Sequence, residues 1–262
     1  FGIPGNENES SMIAMRYSFI LVGLWWALFS QYSFYYLPRV RINKKVSSHV
    51  IWNGYRELRN VWRLLKNEVG LKRYLPAFFI YSTALQTVIL IAAYFGEEEI
   101  LWPDATEKTI GLIVSILLIQ LVGIIGAYFT ARASEKFGSI PILIIINISW
   151  AIICLIAYHI KSPFEFYVTA CFVGLFMGGV QALSRSTYSR LIPKTNNTTS
   201  FFSFYDVSEK IGIVIGMIIF GILDQYTGNM RTSIIFFLIL FLIGALMLNR
   251  VPRDKLSKKI LA

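Results

Sequence analysis

Cysteine and histidine are scarce in this chain, with two of each among 262 residues. Cys154 and Cys171 both fall inside apolar stretches, so we expect two small buried side chains and no disulfide framework or metal site. His49 and His159 are far apart in the sequence and lack the close spacing of metal ligands. The sequence therefore predicts no cofactor and no histidine-based metal centre.

Charged residues are also few. They make up 15% of the chain, whereas about a quarter of the residues of a soluble domain are charged. Apolar and aromatic residues together make up 55%. A net charge of +10 would suggest nucleic acid in a soluble protein, but long apolar stretches indicate an integral membrane protein. We expect the lipid bilayer as a partner and no nucleic acid.

Catalytic motifs are missing as well. The sequence contains no H-E-x-x-H and no G-x-S-x-G, and no paired aspartates inside an apolar stretch. We therefore expect that the protein is not an enzyme. A rhodopsin-like photoreceptor would need a lysine in the last apolar stretch, 232–249, which has none. A seven-helix receptor and a non-transport membrane scaffold stay open as alternatives to a transporter.

Seven apolar stretches are long enough to cross a bilayer, which takes about 20 helical residues. They predict an all-α membrane protein with several spans. The stretches are 17–37, 74–96, 109–131, 140–160, 166–184, 205–223 and 232–249.

Lysine and arginine are concentrated on one predicted side of the membrane. They are frequent in the connections after the first, third and fifth stretches and in the C-terminal tail. The other side holds only Arg16, Lys108, Lys161 and Arg231. Because cytosolic loops carry the excess of positive charge, the basic side is predicted to be cytosolic.

The only long connection, 39–73, has apolar residues at three- and four-residue steps, which predicts an amphipathic helix. They are Ile51, Tyr55, Leu58, Trp62, Leu65 and Val69. Basic residues occupy its other faces. Such a helix is expected either on the inner leaflet near anionic lipid or against the cytosolic ends of the spans, and the two arrangements are compatible.

One span, a long basic connection and six further spans predict a three-part organisation. Many transporters join two six-helix halves by a cytosolic link. We therefore expect the last transmembrane helix of an N-terminal half with its extracytosolic loop (1–38), a cytosolic linker helix (39–73), and a six-helix C-terminal domain with a cytosolic tail (74–262). The missing N-terminal half of the same transporter is then an expected partner.

Two sets of motifs resemble known transporters. The segment 126–138, GAYFTARASEKFG, is similar to the cytosolic loop signature of the major facilitator superfamily, which usually has aspartate where Glu135 stands. By this resemblance Arg132 and Glu135 are expected to belong to a cytosolic gate.

The motifs GGVQALSRSTYSRLIPK (178–194) and FFSFYDVSEK (201–210) resemble the branch of that superfamily that contains the autophagy-linked fungal vacuolar amino-acid effluxers and their bacterial relatives. The similarity extends over 17–252. It implies a secondary active transporter of twelve spans, of which five would precede this chain, and a small-molecule substrate, with amino acids favoured. In a bacterium the protein would lie in the inner membrane.

Charges cluster at the predicted cytosolic mouth. Asp206, Glu209 and Lys210 share one helical face at three- and four-residue spacing. Arg185 ends the fifth stretch on the same side. Charges at a membrane edge are often functional, so we expect Arg185 to pair with Asp206 or Glu209 when the mouth is closed, and a static ion pair is the open alternative. Proton coupling is a hypothesis that rests on the two acids.

Arg190 follows Arg185 in the fifth connection and is included in the same predicted charge network. Uncharged polar residues inside the spans predict a solvated pathway. The candidates are Tyr81, Gln86, Gln120 and Gln181. Buried amides need hydrogen-bond partners, and a neighbouring helix could supply them as well as a substrate.

Glycines four residues apart in the fifth and sixth stretches indicate close helix packing. They are Gly174 and Gly178, and Gly212 and Gly216.

Overall fold

The computed structural model describes residues 7–37, 50–193 and 198–252, and within these ranges the secondary structure is entirely helical. The predicted all-α membrane fold is confirmed. The start of the basic linker and the C-terminal tail lie outside the described residues. The helices are α1 (Glu7–Tyr36), α2 (Val50–Asn67), α3 (Val69–Glu98), α4 (Ala105–Phe137), α5 (Ser139–His159), α6 (Pro163–Leu191), α7 (Thr198–Thr227) and α8 (Met230–Leu248).

Among the described helices, six are long and apolar enough to cross a membrane: α1 from Met12 onward, α3, α4, α5, α6 and α8. The predicted sixth span lies within α7, which is not one of the six. This helix carries Asp206, Glu209 and Lys210 close together in its first half. Its crossing of the membrane stays a prediction.

The chain divides into two compact units, residues 1–50 and 51–262. In the first unit α1 carries aromatic pairs along one helix, such as Trp25 and Phe29 with ring centroids 4.3 Å apart. The second unit contains the remaining helices and the apolar core. Large side chains at its centre are almost fully buried, among them Trp150, Phe237 and Phe241.

Local capping explains where several helices begin. The Asp104 side chain accepts a hydrogen bond from the Glu107 backbone N–H at the start of α4. Ser162 and Glu165 form a capping box at the start of α6. Between α4 and α5 the chain turns at Gly138, whose φ of 88° favours glycine. These caps and this turn let one helix end and the next begin after only a few residues.

Glycines let α6 approach α4. A Cβ atom on Gly174 would lie 2.7 Å from the carbonyl oxygen of Ile119, and one on Gly178 would lie 2.7 Å from that of Gly123. On α7, a Cβ atom on Gly212 would lie 2.7 Å from the side-chain Oγ1 of Thr83 on α3, and one on Gly216 would meet Thr87 of the same helix. These glycines face neighbouring helices, as expected for close packing.

The amphipathic helix α2 contacts the beginning of α7. The rings of Trp62 and Phe204 lie with centroids 5.8 Å apart, and Ser200 Oγ donates a hydrogen bond to Glu57 Oε1 at 2.5 Å. Trp52 remains exposed. Helix α2 therefore packs against the beginning of α7. The exposed Trp52 side chain is compatible with an additional contact between α2 and the membrane surface.

At the predicted extracytosolic end Arg231 joins three helices. This side chain is 12% exposed, and its Nε donates to Glu99 Oε2 at 2.6 Å. Its Nη1 donates to the carbonyls of Tyr158, at 2.9 Å, and Ile160, at 2.5 Å. The start of α8 is thereby fixed to the ends of α3 and α5.

Candidate functional site

A cavity of about 310 Å³ lies between α3, α6 and α7. Its lining combines apolar and aromatic walls with a few polar groups, as is typical of sites for small molecules. The lining residues are Phe78, Tyr81, Ser82, Leu85, Gln86, Gln181, Ala182, Ser184, Arg185, Tyr205 and Glu209. Three of the four predicted pathway residues, Tyr81, Gln86 and Gln181, are brought together here.

The Glu209 carboxylate is held by an amide from the facing helix. Gln86 Nε2 donates a hydrogen bond to Glu209 Oε1 at 2.5 Å. The two residues are 123 positions apart in the sequence, so only the packing of α3 against α7 brings them together. A carboxylate at a partly buried position needs such a donor. The Glu209 side chain, although held in this way, is still part of the cavity lining.

Arg185 pairs with Asp206 at the mouth of the cavity. Its Nη2 lies 3.3 Å from Asp206 Oδ1, and the two side chains are 55% and 47% exposed. The guanidinium also lies over the rings of Phe202 and Tyr205, at 5.6 and 5.9 Å from their centroids. Of the two acids that the sequence offered as partners, the structure places Asp206 against Arg185. The gating role of this pair stays a prediction.

A chain of buried hydroxyl groups fixes α3 to α6 beside the cavity. Tyr74 Oη donates to the Ser184 carbonyl at 2.8 Å, and Tyr81 Oη lies 2.8 Å from Ser184 Oγ. The two tyrosine oxygens are 3.2 Å apart. Sequence reasoning missed Tyr74 and Ser184. The seven-residue step from Tyr74 to Tyr81 places both on one face of a helix, which was the available signal.

Two predicted residues lie elsewhere. Gln120 is exposed on α4 and is not part of the cavity lining. Lys210 is exposed on α7 and forms no ion pair with another described residue. Their roles stay predictions. Among the residues that the structure describes, no three histidine, cysteine, aspartate or glutamate side chains are grouped to hold a metal ion.

The segment that resembles a superfamily loop signature lies at the end of α4. The guanidinium of Arg132 lies 5.5 Å from the ring centroid of Tyr128, and Glu135 is exposed. Arg190 Nη1 donates to Ser139 Oγ at 3.4 Å, so it connects α6 to the start of α5. None of these three residues lines the cavity, and their part in a gate remains a prediction.

Comparison with known proteins identifies similar membrane transporters. The family described as "Vacuole effluxer Atg22 like" matches residues 2–260. The uncharacterised MFS-type transporter YxiO of Bacillus subtilis is 26% identical over 246 residues, which cover 92% of this chain and 54% of YxiO. Autophagy-related protein 22 of Eremothecium gossypii is 29% identical over 253 residues, covering 88% of this chain and 48% of that protein. The chain spans about half the length of these curated relatives.

Proposed function

The chain belongs to the Atg22-like vacuole effluxer family, and we propose that it forms part of a secondary active transporter that moves small polar solutes by alternating access. It is a multi-pass integral membrane protein, and its relatives are described as an MFS-type transporter and as autophagy-related proteins. The observation that carries the proposal is the cavity between α3, α6 and α7, whose largely apolar lining holds one guanidinium and one carboxylate. Neither a receptor nor a scaffold is favoured by these relatives.

The proposed organisation follows the three parts predicted from the sequence. Residues 1–38 supply the last helix of an N-terminal half, 39–73 the cytosolic linker, and 74–262 the C-terminal domain. The relatives are about twice as long as the matched region, which supports a second half that completes the transport pathway in the whole protein. In a transporter of this kind the solute site lies between the halves, and we propose the cavity between α3, α6 and α7 as the C-terminal half's share of that site.

Amino acids are the proposed substrate class. The cavity lining contains one guanidinium, on Arg185, and one carboxylate, on Glu209. A zwitterion presents the opposite charges, so its carboxylate would bind Arg185 and its ammonium Glu209. The rings of Phe78 and Tyr205, stacked with centroids 4.2 Å apart, provide an apolar wall for a side chain.

Binding and gating are connected in this proposal through Arg185. In the structure its partner is Asp206, and a solute carboxylate would compete for the same guanidinium. Competition would separate α6 from α7 at the cytosolic mouth, which is the change that alternating access requires. Glu209, which lies deeper in the cavity lining, would exchange the coupled proton.

The test is amino-acid counterflow in proteoliposomes that contain the complete protein. Vesicles loaded with one unlabelled amino acid are expected to accumulate the same labelled compound transiently, with saturable kinetics. If no amino acid among the common twenty gives counterflow above empty liposomes, the proposed substrate class is wrong.

Two variants that replace a glutamine by leucine test whether the solute binds in this cavity. Gln86→Leu removes the donor that holds the Glu209 carboxylate and is expected to raise KM by about tenfold or more, because a hydrogen bond to a charged group contributes about 1.5–3 kcal/mol. Gln225→Leu makes the same chemical change at an exposed position of α7 outside the cavity and should leave KM unchanged. Equal effects of the two variants would place the solute site elsewhere.

A further inference from the structure

A second cavity lies apart from the proposed solute site, between the beginning of α3 and the end of α8. It is an open groove of about 780 Å³. Because α3 begins and α8 ends on the predicted cytosolic side, the groove faces the inner surface of the membrane. The lining residues are Lys72, Arg73, Pro76, Met247, Asn249, Arg250, Val251 and Pro252.

The groove concentrates positive charge. Lys72 and Arg73 come from one wall and Arg250 from the other, and no aspartate or glutamate is among the lining residues. None of these three cations forms an ion pair with another residue that the structure describes. Like charges that share one groove repel each other, and a bound anion would remove that repulsion.

The two walls are held together by one of these cations. Arg73 Nη1 donates a hydrogen bond to the Arg250 carbonyl oxygen at 2.9 Å. This bond fixes the guanidinium across the groove and leaves its other N–H groups available as donors. Arginine donors in a fixed plane suit the paired oxygens of a phosphate group.

Apolar surface adjoins the charges. Pro76 and Met247 line the groove beside the basic residues, and Val251 is buried in its wall. A ligand that fits both features has a phosphate and an adjoining hydrocarbon part. Basic pockets between transmembrane helices on the cytoplasmic side bind the headgroups of anionic lipids in this way.

We propose that the groove formed by Lys72, Arg73 and Arg250 binds a phosphate-bearing anion. Its apolar walls favour the headgroup of an anionic phospholipid over a soluble phosphate compound. This site is separate from the solute cavity, and its occupation does not depend on what the protein transports.

The test measures the thermal unfolding of the complete protein, purified and delipidated in detergent. Phosphatidylglycerol, phosphatidylcholine and soluble glycerol phosphate are added in separate titrations. Phosphatidylglycerol is expected to raise Tm more than phosphatidylcholine does. If glycerol phosphate gives the same rise, the site binds the phosphate of a soluble compound. If none of the three raises Tm selectively, the proposal is wrong.

Charge variants locate the effect. Lys72→Gln combined with Arg250→Gln should weaken phosphatidylglycerol binding by roughly 30-fold, since each basic residue near an anionic headgroup contributes about 1 kcal/mol. Lys136→Gln combined with Lys161→Gln removes two exposed cations that lie outside the groove and should leave the binding unchanged. The charge-preserving Lys72→Arg should retain it.

Retention of full lipid selectivity by the Lys72→Gln and Arg250→Gln double variant would overturn the proposal, and so would its loss in the Lys136→Gln and Lys161→Gln double variant alone. If the groove double variant does not fold, Lys72→Gln is measured by itself, because the Lys72 side chain is exposed. It should weaken binding by about fivefold, and an unchanged affinity would count against the groove.

Discussion

Two acids on α7 that lie one helical turn apart have different environments. Glu209 lines the cavity and accepts a hydrogen bond from Gln86. Asp206 lies at the mouth, about half-exposed, against Arg185. Of these two acids, only Asp206 forms an ion pair with another residue that the structure describes. We therefore infer that proton exchange belongs to Glu209 and gating to Asp206.

The variant Glu209→Gln tests that division. The glutamine side-chain oxygen can still accept a hydrogen bond from Gln86 or from the solute ammonium, but glutamine cannot exchange a proton. An imposed pH gradient should accelerate transport by the wild-type protein and leave the variant unaffected, as measured by labelled amino-acid flux into proteoliposomes at several external pH values. Asp206→Asn should still respond to the gradient. A variant that lacks the Glu209 carboxylate and yet responds like the wild type would contradict the assignment.

Variants of the ion pair should change apparent affinity in opposite directions. Arg185→Gln removes the proposed binding group for the solute carboxylate and should raise KM by about tenfold or more. Asp206→Asn removes the competitor for Arg185 and should lower KM. Both should change the unfolding free energy by less than about 1 kcal/mol, because the pair is exposed.

The alternative, a static ion pair that anchors two helix ends, predicts a different pattern. Both variants would then have the KM of the wild-type protein. Flux measured over a range of amino-acid concentrations separates the two cases, and normal transport by Arg185→Gln would remove the gate hypothesis.

At the scale of the helices, α4 and α6 pack as closely as their backbones allow. A Cβ atom on Gly174 would meet three backbone atoms of Ile119 at 2.7 to 3.2 Å. Backbone atoms cannot swing aside as a flexible side chain can, so the two helices would have to separate.

Gly174→Ala should therefore lower the unfolding free energy by about 1–3 kcal/mol, the usual cost of overpacking. Gly221→Ala is the matched control, since a Cβ atom on Gly221 would have no neighbour within 4 Å. Alanine there should be neutral or stabilise α7 by up to about 1 kcal/mol. Thermal unfolding of the purified complete protein measures both. Equal stability of the two variants would show that the helices do not need this close contact.

The sequence predicts the helices better than it predicts the faces they present. Each predicted span coincides with part of a helix to within one residue at its end, because about 20 apolar residues in a row have few alternatives in a membrane. The positions of Arg185, Asp206 and Glu209 at span ends were enough to propose that Arg185 pairs with one of the two acids, but not which one. The Gln86 to Glu209 bond could not be predicted, since it depends on which face of α3 meets α7. Gln120 shows the same limit: in a nearly uniformly apolar helix, composition does not say which side is exposed.

At the scale of the second unit, the two membrane ends are held differently. Arg231 makes four hydrogen bonds to the ends of α3 and α5 while only 12% exposed. Between α6 and α7 the predicted cytosolic mouth carries the exposed pair of Arg185 and Asp206, and exposed pairs stabilise by at most about 1 kcal/mol. The same two helices are also joined by a buried hydrogen bond from Tyr188 Oη to the Phe201 carbonyl oxygen at 2.8 Å. We therefore expect the ends of α3, α5 and α8 that Arg231 joins to move as one body, and motion at the cytosolic mouth to begin at the exposed pair.

The most direct measurement of the central claim is the accessibility of the cavity from both sides of the membrane. Ala182→Cys places a thiol in the cavity lining of a complete protein in which every native cysteine, including Cys154 and Cys171, is replaced by alanine. Ala151→Cys, in the buried part of α5, is the control. Membrane-impermeant thiol reagents should modify the cavity cysteine from either side, and amino acids should slow the reaction, while the control reacts from neither. Modification from one side only, with no protection by any amino acid, would contradict an alternating-access solute site between α3, α6 and α7.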